Sequence, residues 1–238
     1  LILKCNKMSD EKYFNFPVQL LSGFMINSEK AIGNIKDYAV YENSLKLEHG
    51  TDLQKIKDSA SFYNMTLGSE KNTFDNGKQL YNSLPENSPK VGMNLSIWWD
   101  FYKNEKTEFD KICLLAFLSI KSLIGAKAYY KATNMYLWSR MDGKINTIVE
   151  VSELSVEVRR FANEYHTTKI KTALRNSWGL VHYARYTRGF YVSFKFTLKQ
   201  LILEAEKRRI STKEKQYKEQ EKQALKEVLE QLKTTRPK

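Results

Sequence analysis

Apolar positions recur at helical spacing along most of this chain. Ile32, Ile35, Tyr38 and Ala39 share one face of a predicted helix, and Ile56, Ala60 and Tyr63 share a face of the next. Before them, Phe16-Pro-Val18-Gln-Leu20-Leu21 and Phe24 predict a packed entry segment. The strongest helical pattern covers 107–125. Thr107 is placed to cap it, Glu108 and Asp110 put acid in its first turn, and Gly125 is placed to end it. Its Ile112, Leu115, Ala116, Ile120, Leu123 and Ile124 lie on several faces, which predicts a central core helix.

Gly50, Gly68 and Gly77 punctuate the first part, with Gly77 able to lie inside a short helix. Pro85 and Pro89 bracket a loop read as a boundary, dividing the chain into a mostly helical region 1–90, a domain 91–199 and a charged helix 200–238. After a short helix from Thr133 to Gly143, another is expected from Ser152 or Ser155. Leu154, Val158, Phe161, Ala162 and Tyr165 share its face, and His166-Thr167 interrupts it. A third runs from Thr168 to Trp178 and stops at Gly179. Val181 and Tyr183, then Phe190, Val192, Phe194 and Phe196, alternate as strand residues do around a turn at 186–189. Gly189 is able to take positive φ there. A long helix follows from Thr197, where Thr197 and Gln200 form a capping box and Leu198, Leu201, Ile202 and Ala205 form a docking face. Leu203, Ile210, Tyr217 and Ala224 then repeat every seven residues. Lys207, Glu214 and Glu221 fill the complementary places, so a homodimer through this helix and a solvated tail are both open readings.

Helix, short turn, helix and aromatic hairpin in this order resemble the winged helix-turn-helix family of DNA-binding domains. The resemblance is carried by 156–165, 167–178 and 179–194, with 107–125 as the first helix. It implies a mainly α fold with a small β-hairpin wing, to which this chain adds a helical N-terminal region and a long C-terminal helix. The interval 126–154 is longer than a compact version has. The resemblance implies a transcriptional regulator or a replication-initiator-type protein of a mobile element. Ala60-x-x-Tyr63-x-x-Thr66 echoes Ala162-x-x-Tyr165-x-x-Thr168, which hints at tandem helix-turn-helix units of the kind found in plasmid replication initiators.

Charge points the same way. The formal charge of +12 divides into −1 for residues 1–100, +3 for 101–151 and +10 for 152–238. Between Glu164 and Glu204 there is no acidic side chain, whereas an ordinary solvated face mixes both signs. On the 168–178 helix, Ile170, Ala173, Leu174, Ser177 and Trp178 are expected to pack inward. Thr168, Lys171, Thr172, Arg175 and Asn176, with Lys169, are expected to face a major groove, where Arg forks onto guanine and Asn onto adenine. Arg185 and Arg188 are expected to serve the wing, and Arg159, Arg160, Lys195 and Lys199 to touch phosphates. Duplex DNA is the expected partner. An RNA or single-strand platform built on Tyr183, Tyr186 and Phe190, and an adaptor or inhibitor of a nucleic-acid machine, are the alternatives.

Other chemistries find little support. The three histidines have no metal-ligand spacing, and neither a Gly-rich phosphate loop nor a Gly-x-Ser-x-Gly elbow occurs. No catalytic residue, metal or cofactor is expected. Cys113 reads as a buried apolar residue, and two cysteines form no disulfide framework. The segment Leu1–Met8 reads as a fragment or upstream extension with Met8 as the expected initiator. It is too short for a secretory apolar region, and Lys4 before Cys5 does not suit a lipoprotein signal. No apolar run reaches membrane-helix length, so no membrane partner and a reducing cytoplasm are expected.

Overall fold

The computed structural model describes residues 12–145, 147–184 and 189–234, with side chains to residue 227. Helices dominate, and the described strands form two small antiparallel sheets. Strand β1 (Tyr13–Pro17) buries Phe14 and Phe16 and leads into a short 3-10 turn at Val18–Leu21. Helices α1 (Ser28–Ser44), α2 (Asp52–Phe62) and α3 (Glu70–Ser83) follow. Each begins at a polar cap, Asn27, Thr51 and Ser69 respectively, whose side chain accepts from a backbone N–H three residues on. The faces read from spacing are the buried ones: Ile32, Ile35, Tyr38 and Ala39 on α1, and Ile56 and Ala60 on α2. Gly77 lies inside α3 where it crosses α1. A Cβ there would stand 2.6 Å from the Asp37 carbonyl oxygen and 2.6 Å from Tyr41 Cβ.

The loop expected to separate two domains does not do so. It delivers β2 (Lys90–Asn94), which pairs antiparallel with β1 from Tyr13↔Asn94 to Pro17↔Lys90. The strand pair thus spans the expected boundary and is followed by α4 (Leu95–Lys103), whose Trp98 indole donates to the Ile32 carbonyl at 3.0 Å. Next comes α5 (Glu108–Ile124), with the expected cap completed as a box between Thr107 and Asp110. It packs against β2 and the 3-10 turn on one side and the C-terminal elements on the other. One continuous core therefore runs from Phe14 to Val192.

Beyond α5 come β3 (Tyr130–Ala132), α6 (Asn134–Met141), α7 (Val156–Arg159), α8 (Glu164–Trp178), β4 (Val181–Tyr183), β5 (Phe190–Ser193) and α9 (Leu198–Thr234). The sheet order is β3-β5-β4, so the hairpin carries a third strand. Two expectations are corrected here. Instead of a helix running to Tyr165 and breaking at His166-Thr167, α7 is a single turn and a new helix starts at Glu164. Asn163 caps it by accepting from the His166 N–H at 2.9 Å, so the expected break lies within the first turn of α8, where Thr167 is buried. Strand β5 is buried at every position. Phe190 and Val192 enter the main core, while Tyr191 packs with Leu201 and Ala205 of α9. Phe194 and Phe196 lie past the strand, against Phe117 and Tyr129.

The chain between α6 and α7 is held by Arg140, which is 5% exposed. Its guanidinium donates to Ser122 Oγ, Tyr136 Oη and the Ile145 carbonyl. The echo between 60–66 and 162–168 has no structural counterpart. Ala60 and Tyr63 end α2 and Thr66 lies beyond it, whereas Ala162 precedes α8 and Tyr165 and Thr168 lie in its first turns. At the C-terminal end, Thr197 and Gln200 form the expected box, and Leu201 and Ala205 dock. Leu198 is exposed. From Lys207 on, the described side chains of α9 are all exposed, including Ile210, Tyr217 and Leu225. No helix among the described residues is long and apolar enough to cross a membrane.

Candidate nucleic-acid interface

Helix α8 is positioned by its buried side. Thr167, Ile170 and Leu174 enter the core, Trp178 packs on Phe117 with ring centroids 4.3 Å apart, and the Trp138 indole donates to Thr167 Oγ1 at 3.0 Å. Gly179 ends the helix in the left-handed region at φ 68°, where glycine carries no Cβ penalty, and the chain turns directly into β4. What remains outside is a stripe of Tyr165, Thr168, Lys169, Thr172, Arg175 and Asn176, all exposed.

Lys171 does not join that stripe. Its position three residues before Leu174 and four after Thr167 turns it towards the buried side. The ammonium donates to Asn134 Oδ1 at 2.9 Å and lies 3.5 Å from the centroid of the Phe190 ring. Burial pushes its pKa down to about 8, against a smaller opposing pull from Glu164. The expectation that Lys171 faces a ligand is thus corrected: it ties α8 to α6 and β5. Ser177, expected inside, is exposed.

Arg175 is oriented by a residue not assigned a role from the sequence. Its Nη2 lies 3.1 Å from Nε2 of His182 on β4. Burial, then Arg175 and Lys171, push the His182 pKa down to about 4. The imidazole is therefore neutral at physiological pH, and a neutral ring nitrogen accepts from the guanidinium. Lys169 arches over Tyr165, its ammonium 5.1 Å from the ring centroid. Thr172 Oγ1 donates to the Thr168 carbonyl at 2.9 Å.

The outlying basic residues are more scattered. Arg160 is paired with Glu108 in an exposed contact, Nη2 to Oε2 at 3.2 Å. Arg159 is exposed and donates to the Ser152 carbonyl at 3.2 Å. Lys195 and Lys199 are exposed but lie beyond Ser193, which faces Val181 at the root of the hairpin, away from its tip. Arg185 and Arg188, and Tyr186 with them, lie outside the described residues. Gly189 does take positive φ, at 91°. Of the other hairpin aromatics, Phe190 is 2% exposed and Tyr183 donates to Glu206 Oε1 at 3.4 Å. Cys113 is buried and its thiol is pushed up to about 12 by that burial. No group of three His, Cys, Asp or Glu able to hold a metal occurs among the described residues.

Between α8 and the first turn of α5 lies an open groove of about 540 Å³, bordered by Phe109 and by α8 from Glu164 to Asn176, with Lys169 and Asn176 among its lining. Neither the acid-free stretch nor the helical wheel reveals it, because Phe109 comes from a distant part of the chain. No protein-family model, no curated protein and no solved structure matches this chain.

Proposed function

We propose that this protein binds duplex DNA as a winged helix-turn-helix protein, with α8 in the major groove and the β4–β5 hairpin as its wing. One observation carries the reading. A helix with an outward face free of acid after Glu164 runs straight into the hairpin of a sheet ordered β3-β5-β4. That connection order, with α5 and α6 ahead of α8, is the one a winged domain needs, and the chain between α6 and α8 is an insertion within it. Arg175 and Asn176 are the residues suited to guanine and adenine edges, and Lys169, Arg159 and the hairpin arginines are suited to phosphate. A role as a transcriptional regulator or replication-type initiator follows from this reading.

Single-strand stacking is less well supported, because Phe190 is buried and Tyr183 is anchored to α9. A second copy of the chain is the partner best suited to α9. Beyond Lys207 this helix runs about 40 Å at 1.5 Å per residue with Ile210, Tyr217 and Leu225 uncovered, and pairing two such helices removes that apolar surface from water.

Competition between duplex DNA, single-stranded DNA and RNA for one labelled duplex tests the proposal. Duplex should compete best, and with about six phosphates neutralised the log affinity should fall against log salt with a slope near −5. Equal or better competition by RNA or single strands, or duplex binding indifferent to Arg175→Ala and Arg188→Ala together, would overturn it.

A further inference from the structure

We propose that the projecting part of α9 carries a second phosphate-binding surface, formed by Lys215, Lys218, Lys222 and Lys226, which lies along the DNA flanking the site that α8 and the hairpin occupy. The inference rests on the duplex-DNA reading above and adds a contact outside the winged domain.

The four lysines follow one another at intervals of three, four and four residues, which keeps them within an arc of about 80° on one side of a helix. All four are exposed, and no carboxylate among the described residues pairs with them. The ion pairs of α9, Lys207 with Glu204 and Arg209 with Glu206, lie nearer its docked part. After Glu204 no acidic residue falls within the arc as far as Glu227. Glu214 and Glu219 flank it on either side, and Glu221 and Glu227 lie further round. A helix edge with a cation about every 5 Å suits a regularly spaced polyanion, and a duplex carries a charge about every 1.7 Å along its axis, enough to give each lysine a phosphate.

The fold aims this edge towards the wing side. Helix α9 begins past Ser193, at the root of the hairpin, and by Glu206 it has reached Tyr183, the residue of β4 nearest the tip, whose hydroxyl donates to Glu206 Oε1 at 3.4 Å. From Lys207 on, the helix continues in that direction beyond the sheet, on the side where the proposed wing meets the duplex. Ile210 and Tyr217 lie about a quarter turn or more from the lysine arc, so two copies paired through them leave the lysines open.

Two duplexes built on one site selected by the full chain test this. One is about 15 base pairs long, and the other extends it by about 15 on each side, further than α9 reaches at 3.4 Å per step. The longer duplex should bind more tightly, and its plot of log affinity against log salt should be steeper by about 3 to 4, the value for four further phosphates. Lys215→Gln, Lys218→Gln, Lys222→Gln and Lys226→Gln made together keep the helix propensity and should leave the circular dichroism unchanged. They should remove the extra slope, weaken the longer duplex about tenfold or more at about 0.1 M salt, and leave the shorter one bound as before. Arg175→Ala should weaken both duplexes alike. Equal slopes for the two duplexes with the wild-type chain, or an extra slope that survives the four substitutions, overturns the inference and leaves duplex recognition by α8 standing. Failure to bind either duplex overturns both.

Discussion

The Lys171 ammonium rests 3.5 Å from the centroid of the Phe190 ring, so a cation on α8 is fastened to the central strand of the adjoining sheet. This contact takes a residue expected on the ligand-facing side and makes it part of the scaffold. Its charge is nonetheless costly to bury, since its pKa is depressed from 10.5 to about 8.

Lys171→Met should therefore leave duplex affinity within about twofold, as expected of a residue without a phosphate partner. Its stability signature lies in alkaline solution. Between about pH 8 and 10.5 the unfolded chain holds a proton on Lys171 that the folded chain has released, so this residue makes the folded state more stable as pH rises through that window. Cys113, raised to about 12, and the buried tyrosines act in the opposite direction above their ordinary pKa values. The difference between wild type and Lys171→Met isolates the lysine. Urea unfolding at pH 7.5 and pH 9 should show wild type gaining on the variant by roughly 1 kcal/mol. A constant difference would refute the assignment.

His182 gives the acid counterpart. Its pKa is lowered from 6.5 to about 4, so below about pH 6.5 the unfolded chain binds a proton that the folded chain refuses. Stability from this group is present above pH 6.5 and is lost as pH falls towards 4. The ring is partly exposed, so after discounting for solvent screening the loss is on the order of 1 kcal/mol. His182→Gln should flatten the slope of unfolding free energy between pH 6.5 and 4.5, read by chemical denaturation.

Two helical glycines should respond in opposite directions. Gly33 in α1 has open space where a Cβ would go, so Gly33→Ala should raise stability by about 0.5–1 kcal/mol. Gly77 is pressed against α1, and Gly77→Ala should cost about 2 kcal/mol or more by forcing the helices apart. Thermal melts of the two variants side by side check both signs.

Gly189 combines two demands. Its φ of 91° disfavours any L side chain, and a Cβ there would overlap the Ala132 carbonyl of β3. Gly189→Ala should separate β3 from β5, cost about 2 kcal/mol or more, and weaken binding at all DNA sites alike. Hydrogen exchange at the β3 and β5 amides is the direct measurement.

Among the basic residues, Arg175→Ala should narrow the gap between specific and non-specific sites, and Arg188→Ala should weaken both equally. Arg160→Ala should change binding little, because Glu108 already occupies its guanidinium. Titrations of each variant against a selected and a scrambled duplex separate these outcomes.

Helices α1, α2, α5, α6 and α9 were legible in the sequence because their information is local. The box at Thr107 and Asp110, the apolar stripe of α5, the stop at Gly179 and the positive φ at Gly189 each follow from a few neighbouring residues. The start of α8 was misread for a local reason too, since the Asn163 cap competes with an apolar pattern running through Tyr165. The domain boundary failed for a different reason. Pro85 and Pro89 mark a loop correctly, but whether the next strand returns to β1 is settled by pairing across more than seventy residues.

By itself, then, the sequence determined that helices run through α1, α2, α5, α6 and α9, which face of α8 is apolar, and that its flank to Glu204 carries no acid. Periodicity and charge are properties of consecutive residues, and they survive without knowledge of what folds against them. Tertiary structure alone decided that Lys171 turns inward onto Phe190, that His182 meets Arg175, that Glu108 pairs with Arg160 and that Phe109 walls the groove of α8. Each of these depends on a partner brought from another element, and desolvation and pairing act between groups that only packing makes neighbours.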